Sequence, residues 1–162
     1  MDRIYAGALY KLENLHLVSN PALVEIARDH GRGIKVMMYH GASYHSLIDD
    51  IEELRVAKAH DHPAMVSKHV LKKRHLAPPH STTDHLPVPE IDPLVIREAP
   101  NVLATGDLHR PDIDTYGPVT IIASSCWQHI TEFEEKVGNH PDPCKVPVLN
   151  LKTGKVNILD FS

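Results

Sequence analysis

Apolar residues in this chain fall into short continuous runs punctuated by proline, glycine and charge. That is the pattern of buried strands interleaved with helices rather than of one repeating amphipathic unit. The clearest run, Ile34-Lys35-Val36-Met37-Met38-Tyr39, follows Gly33 and reads as a strand. Val102-Leu103-Ala104 reads the same way, as does the β-branched run Val119-Thr120-Ile121-Ile122-Ala123, which the chain enters through Tyr116-Gly117-Pro118. Leu15-His16-Leu17-Val18, Ala22-Leu23-Val24-Glu25-Ile26 and Leu94-Val95-Ile96 read as further strands; Ser19-Asn20-Pro21 turns the chain between the first two. Near the C-terminus, residues 146–151 and 156–159 flank Lys152-Thr153-Gly154-Lys155, which predicts an antiparallel hairpin.

Helical spacing takes over between the strands. Leu47, Ile48, Ile51 and Leu54 recur at intervals of three and four, predicting one amphipathic helix with Ser43 as N-cap and Asp49, Asp50, Glu52 and Glu53 as its solvated face. Residues 63–74 predict a second helix, with Pro63 in its first turn and Lys72, Lys73 and Arg74 in its last. Together with Lys68 these cations make the one dense basic patch, either a complement to the helix dipole and an aid to solubility or a contact for phosphate. Glu132, Glu134 and Glu135 read as the solvated surface of a short helix. Pro78, Pro79, Pro87, Pro89 and Pro93 break up residues 75–93, a loop long enough to cover a site or dock on a partner. The alternation of strands and helices predicts an α/β fold.

The candidate chemistry lies at two strand ends. Val102-Leu103-Ala104 runs into Thr105-Gly106-Asp107-Leu108-His109, and in extended chain residues two apart point the same way. Asp107 and His109 are then expected to converge on one point while Leu108 faces the opposite side. His40 ends the strand at 34–39, and Gly41 allows the chain to turn after it. Ligands gather at such strand ends in open α/β sheets, so His40, Asp107 and His109 form a candidate metal constellation.

Composition narrows the class. A chain of 162 residues, 42% hydrophobic and 23% charged, suits one globular domain. The net charge of −4 argues against nucleic-acid binding through bulk positive charge, although a bound cation or a local basic patch offsets that. No apolar run reaches the roughly 20 residues of a membrane span, and no signal-peptide pattern opens the chain, so a cytoplasmic location is expected. Cys126 and Cys144 lack CxxC spacing and point to a reducing compartment. Trp127 reads as a core anchor or as part of a partner interface. Most of the thirteen histidines lie in polar loops or on helix surfaces and carry no chemistry by number alone.

Several stretches in order carry a resemblance: Leu17-Val18-Ser19-Asn20-Pro21, Tyr39-His40-Gly41-Ala42-Ser43, Lys73-Arg74-His75-Leu76-Ala77-Pro78, Leu94-Val95-Ile96, Thr105-Gly106 with His109, and Trp127-Gln128 with Thr131 and Phe133. From about residue 12 onward the chain resembles the second half of the small subunit of archaeal D-family DNA polymerase, a calcineurin-like metallophosphoesterase. The resemblance implies the second half of a phosphoesterase sandwich of mixed β-sheets flanked by helices, making residues 1–162 a single, partial domain. It implies a two-metal phosphodiesterase with 3′ to 5′ exonuclease activity in DNA replication, Mn²⁺ as the metal, and DNA and a large catalytic polymerase subunit as partners. His40 is then a ligand of one metal and His109 of the other. Asp107 stands where the family has the first His of Gly-His-x-His, and the family's first-half motifs, Asp-x-His, Gly-Asp and Gly-Asn-His-Asp, do not occur in residues 2–11. The resemblance thus leaves three readings open. The chain is an accessory or scaffold subunit with an incomplete site; or it is half of an exonuclease completed by a separate N-terminal half or a missing N-terminal segment; or it is a stand-alone binding domain descended from the family.

Overall fold

The predicted strands at 22–26, 34–39, 102–104 and 119–123 form ladders with one another. In the computed structural model, which describes residues 7–29, 32–79, 90–137 and 140–162, β1 (Ala22–Asp29), β2 (Arg32–Tyr39), β3 (Val102–Thr105), β4 (Asp112–Tyr116) and β5 (Val119–Ala123) make one sheet in the order β1-β2-β3-β5-β4. The inner strands β2, β3 and β5 are parallel, and β1 and β4 close the two edges antiparallel. The predicted hairpin forms a separate two-stranded sheet of β6 (Lys145–Leu149) and β7 (Val156–Asp160). The fold is α/β, a mixed sheet flanked by helices, as the alternation predicts. No helix among the described residues is long and apolar enough to cross a membrane.

Register divides the sheet into two faces. Met37, Leu103 and Ile121 lie abreast, as do Tyr39, Thr105 and Ala123. Met37, Tyr39, Leu103 and Ile121 meet Tyr44, Leu47, Val66 and Val70 from the helices in one buried core. On the opposite face Ala22, Met38, Ala104, Ile122 and Ile113 line up, with Val24, Val36 and Val102 in a second row. None of these eight belongs to the helix-facing core. At the β1 side of this second face Ile26 and Met38 remain 41% and 38% exposed. The sheet is therefore apolar on both faces, while its helix-built core lies on one.

The acidic helix differs from the prediction. It is two helices, α1 (Tyr44–Asp50) and α2 (Glu52–Val56), broken where Ile51 turns extended (φ −101°, ψ 109°). A continuous helix would set Asp49 over Glu52 and Glu53, like charges at spacings that repel. The break also lets the Arg55 guanidinium donate to the Asp49 carbonyl. Ser43 occupies the N-cap position but its hydroxyl does not cap. It donates to the Leu76 carbonyl at 2.6 Å and accepts from the Tyr39 hydroxyl at 3.0 Å, tying helix start, strand end and loop together inside the core.

The helix at 63–74 forms as α3 (Pro63–Lys73), and Arg74 ends it in the left-handed region (φ 55°). Strand β4, which sequence pattern missed, serves this helix. Asp112 accepts from the Ala64 N–H at 2.9 Å, and Asp114 pairs with Lys68. Residues 15–18 join no ladder, and Leu94-Val95-Ile96 makes only a single bridge, Val95 to His75. That bridge closes the base of the proline-rich loop, where the Leu76 N–H donates to the Leu94 carbonyl and the Ile96 N–H to the Arg74 carbonyl, each at 2.9 Å. His75 accepts the Ala77 N–H at Nδ1 and donates from Nε2 to Asp92 at 2.9 Å. Of the loop read at 75–93, residues 80–89 lie outside the described residues.

Because Ser43 bonds across the core rather than along its helix, Ser43→Ala leaves the buried Leu76 carbonyl without its donor. The expected loss is about 1–3 kcal/mol, beyond the roughly 1 kcal/mol of an ordinary cap. Urea midpoints of the two proteins measure it.

Candidate functional site

Three parallel strands end abreast at Tyr39, Thr105 and Ala123, so His40, Gly106 and Ser124 leave the sheet side by side. The pairing runs one step beyond the strands: the Gly106 N–H donates to the His40 carbonyl at 3.0 Å, and the Ser124 N–H to the Thr105 carbonyl at 2.8 Å. Asn20 receives the His40 N–H at 2.9 Å. Gly41, at φ 107°, is what lets the two loops pass. A Cβ there would lie 2.9 Å from the Gly106 carbonyl oxygen and 3.1 Å from the Asp107 Cβ. Val18, Asn20, Met38, His40, Thr105 and Ser124 line a shallow, open depression at these strand ends.

The loop from Gly106 to His109 is not extended, in contrast to the expectation. Asp107 and His109 both take left-handed backbone, at φ 71° and 56°, around a fully buried Leu108. Leu108 is turned inward and anchors the loop. The two candidate ligands reach different partners: Asp107 Oδ1 lies 3.3 Å from His40 Nε2, whereas His109 Nδ1 lies 2.6 Å from Glu134 Oε1. The His40 side chain is 61% exposed. Among the described residues no three of His, Cys, Asp and Glu gather closely enough to hold a metal ion. Two imidazoles and a carboxylate are the nitrogen and oxygen donors a Mn²⁺-type ion accepts, so the donor chemistry fits while the number falls short.

Glu134 is the residue that sequence reasoning misplaced. It is only 5% exposed rather than solvated. Its Oε2 accepts from the Thr131 N–H at 2.9 Å and the Thr131 hydroxyl at 2.8 Å, and the Glu134 N–H donates back to that hydroxyl at 3.2 Å. This is a capping box at the start of α4 (Glu132–Val137), and the signal for it, Thr131 followed three residues later by Glu, is in the sequence. Burial alone would raise the Glu134 pKa, but the bonds from His109 and Thr131 outweigh it and hold the carboxyl at about 2.

The remaining candidates separate. The Arg74 guanidinium donates to the Ile96 carbonyl through Nε and Nη2, at 3.0 and 2.8 Å, and also bonds the Arg97 carbonyl, so it braces the loop base. Lys68 is taken up by Asp114, while Lys72 and Lys73 are exposed. Trp127 is not in the core: it is 70% exposed, with its ring 6.3 Å from that of Phe161.

The sequence is similar to those of known proteins. The DNA polymerase II small subunit of Pyrococcus furiosus is 37% identical over 160 residues, which is 98% of this chain. Those of Methanothermobacter thermautotrophicus and Halobacterium salinarum are 34% and 32% identical over 98% and 96% of it. Over nearly its whole length the chain is similar in sequence to part of each of these archaeal DNA polymerase II small subunits. It spans 24% of the Pyrococcus protein's length, 30% of the Methanothermobacter one and 29% of the Halobacterium one. No family model matches the chain.

Two results are expected from this site. Gly41→Ala forces the passing loops apart and strains the backbone, costing about 1–3 kcal/mol in a thermal or urea melt. Glu134 has a depressed pKa, so its contribution to stability is complete above 4.5 and is lost as pH falls from there toward about 2. The stability difference between wild type and Glu134→Ala should accordingly shrink between urea melts at pH 6 and pH 3.

Proposed function

We propose that the chain supplies one layer, and part of the ligand set, of a two-metal phosphodiesterase site in the small subunit of an archaeal replicative DNA polymerase. The observation that carries this reading is the arrangement of His40, Asp107 and His109 on adjacent parallel strand ends, without a full set of metal donors among the described residues. The second apolar face of the sheet supports it, since a layer packed there would finish a sandwich and bring further donors beside the strand ends. The matched relatives are several times longer than this chain and have room for that layer. In this reading His40, Asp107 and His109 hold divalent metal, Mn²⁺ by donor type, and the reaction is 3′ to 5′ removal of nucleotides from DNA. A large catalytic subunit is the partner for which a small subunit is named. Lys72 and Lys73 are the cations free to meet phosphate, and Trp127 with Phe161 is a contact for that partner.

A second reading, an accessory layer without catalysis, is favoured by one observation. Asp107, which the resemblance sets where a histidine is expected, pairs with His40 directly. Reconstitution separates the two. The chain is mixed with the remaining portion of an archaeal DNA polymerase II small subunit and assayed for Mn²⁺-dependent shortening of a 3′-ended oligonucleotide. The expected result is activity in the mixture, with His109→Ala lowering it at least about 100-fold, the scale of losing one of a few essential electrostatic groups. A complex that forms but leaves the oligonucleotide intact establishes the accessory reading.

A further inference from the structure

Glu134 uses its two oxygens for different tasks. Oε2 faces donors only: the Thr131 N–H, the Thr131 hydroxyl and, at 3.5 Å, the Gln128 side-chain amide. Oε1 faces His109 Nδ1 at 2.6 Å. A carboxylate accepts and cannot donate, so Nδ1 must carry the proton of that bond. A neutral His109 then has its lone pair on Nε2. The arrangement is that of a carboxylate orienting a histidine from behind, which fixes both ring direction and tautomer.

We infer that Glu134 is a positioning residue, holding His109 as its Nδ1–H tautomer so that Nε2 offers a bare lone pair to the site at the strand ends. The inference deepens the phosphodiesterase reading and rests on it for what Nε2 meets. Its structural half stands on the hydrogen bonds alone. One short segment, Thr131 to Glu134, thereby both starts a helix and sets a ligand.

The geometry makes an unusual prediction for Glu134→Gln. Because the atom at the Oε2 position must accept from Thr131, the Gln carbonyl oxygen takes that place and keeps the capping box. The amide NH₂ is then turned toward His109, where it needs an acceptor. Nδ1 must give up its proton, and Nε2 gains one. The substitution preserves the helix start yet inverts the imidazole.

Long-range ¹H–¹⁵N correlation of the labelled full chain at neutral pH reads the tautomer directly, with His109→Ala assigning the ring. The Nδ1–H form is expected in wild type and in Thr131→Ala, which loses the cap's hydroxyl but keeps the carboxylate on the ring. The Nε2–H form is expected in Glu134→Gln, with unchanged circular dichroism. An Nε2–H ring in wild type, or a tautomer that Glu134→Gln does not change, overturns the inference.

Calorimetric titration of Mn²⁺ into the reconstituted small subunit supplies the second readout. Glu134→Gln should weaken binding about 10–100-fold, the range for loss of such an orienting partner. If His109→Ala weakens Mn²⁺ binding and Glu134→Gln does not, the positioning role is wrong. If neither substitution matters while the tautomer inverts as stated, the lock stands and the phosphodiesterase reading fails.

Discussion

The close passage of two backbones, Gly41 over Gly106, governs everything at the strand ends. Parallel pairing of β2 with β3 brings the two chains out of the sheet abreast, and the Gly106 N–H to His40 carbonyl bond keeps them in step for one more residue. Any Cβ at position 41 would collide with the Gly106 carbonyl at 2.9 Å, so the approach exists only because that side chain is missing. From this contact follow the His40–Asp107 pair on one side and, around the buried Leu108, the His109–Glu134 pair on the other. Two polar couples are thus presented from the two strand-end loops and the start of α4.

The helices support that contact from one side of the sheet. Tyr39 and Ser43 bind the end of β2 to the first helix and to the Leu76 carbonyl, and Asp112 and Asp114 bind the edge strand β4 to α3. On the other face, Val36, Met38, Ala104 and Ile122 are as apolar as the core residues opposite, without belonging to that core. Such a face is suited to a second layer rather than to water. The strand-end residues and this apolar face lie side by side, with Met38, Ala104 and His40 lining one depression.

How much of this was readable in the sequence depended on whether burial or pairing decided the element. The inner strands β2, β3 and β5 are enclosed by neighbours, so their apolar runs announced them, and α3 and the C-terminal hairpin carried standard start and turn residues. Strand β4, Asp112-Ile113-Asp114-Thr115-Tyr116, was not legible because its inward carboxylates serve a helix cap and an ion pair instead of packing. Residues 15–18 are apolar but have no ladder partner, so pattern alone overstated them. The two histidines and Asp107 could be placed at strand ends, but the left-handed backbone of Asp107 and His109 could not, because it goes with the anchoring of Leu108. Glu134 was visible as the fourth residue of a Thr-x-x-Glu box. That its other oxygen meets His109 is a tertiary fact, and no local pattern reports it.

Native mass spectrometry of the chain, taken with and without the remaining portion of an archaeal small subunit and with Mn²⁺ present, tests the central claim most directly. The account predicts a one-to-one complex that retains about two Mn²⁺ ions, and little or no retained metal on the chain alone. A chain that holds its full metal complement unaided would contradict it, as would a complex that forms and carries none.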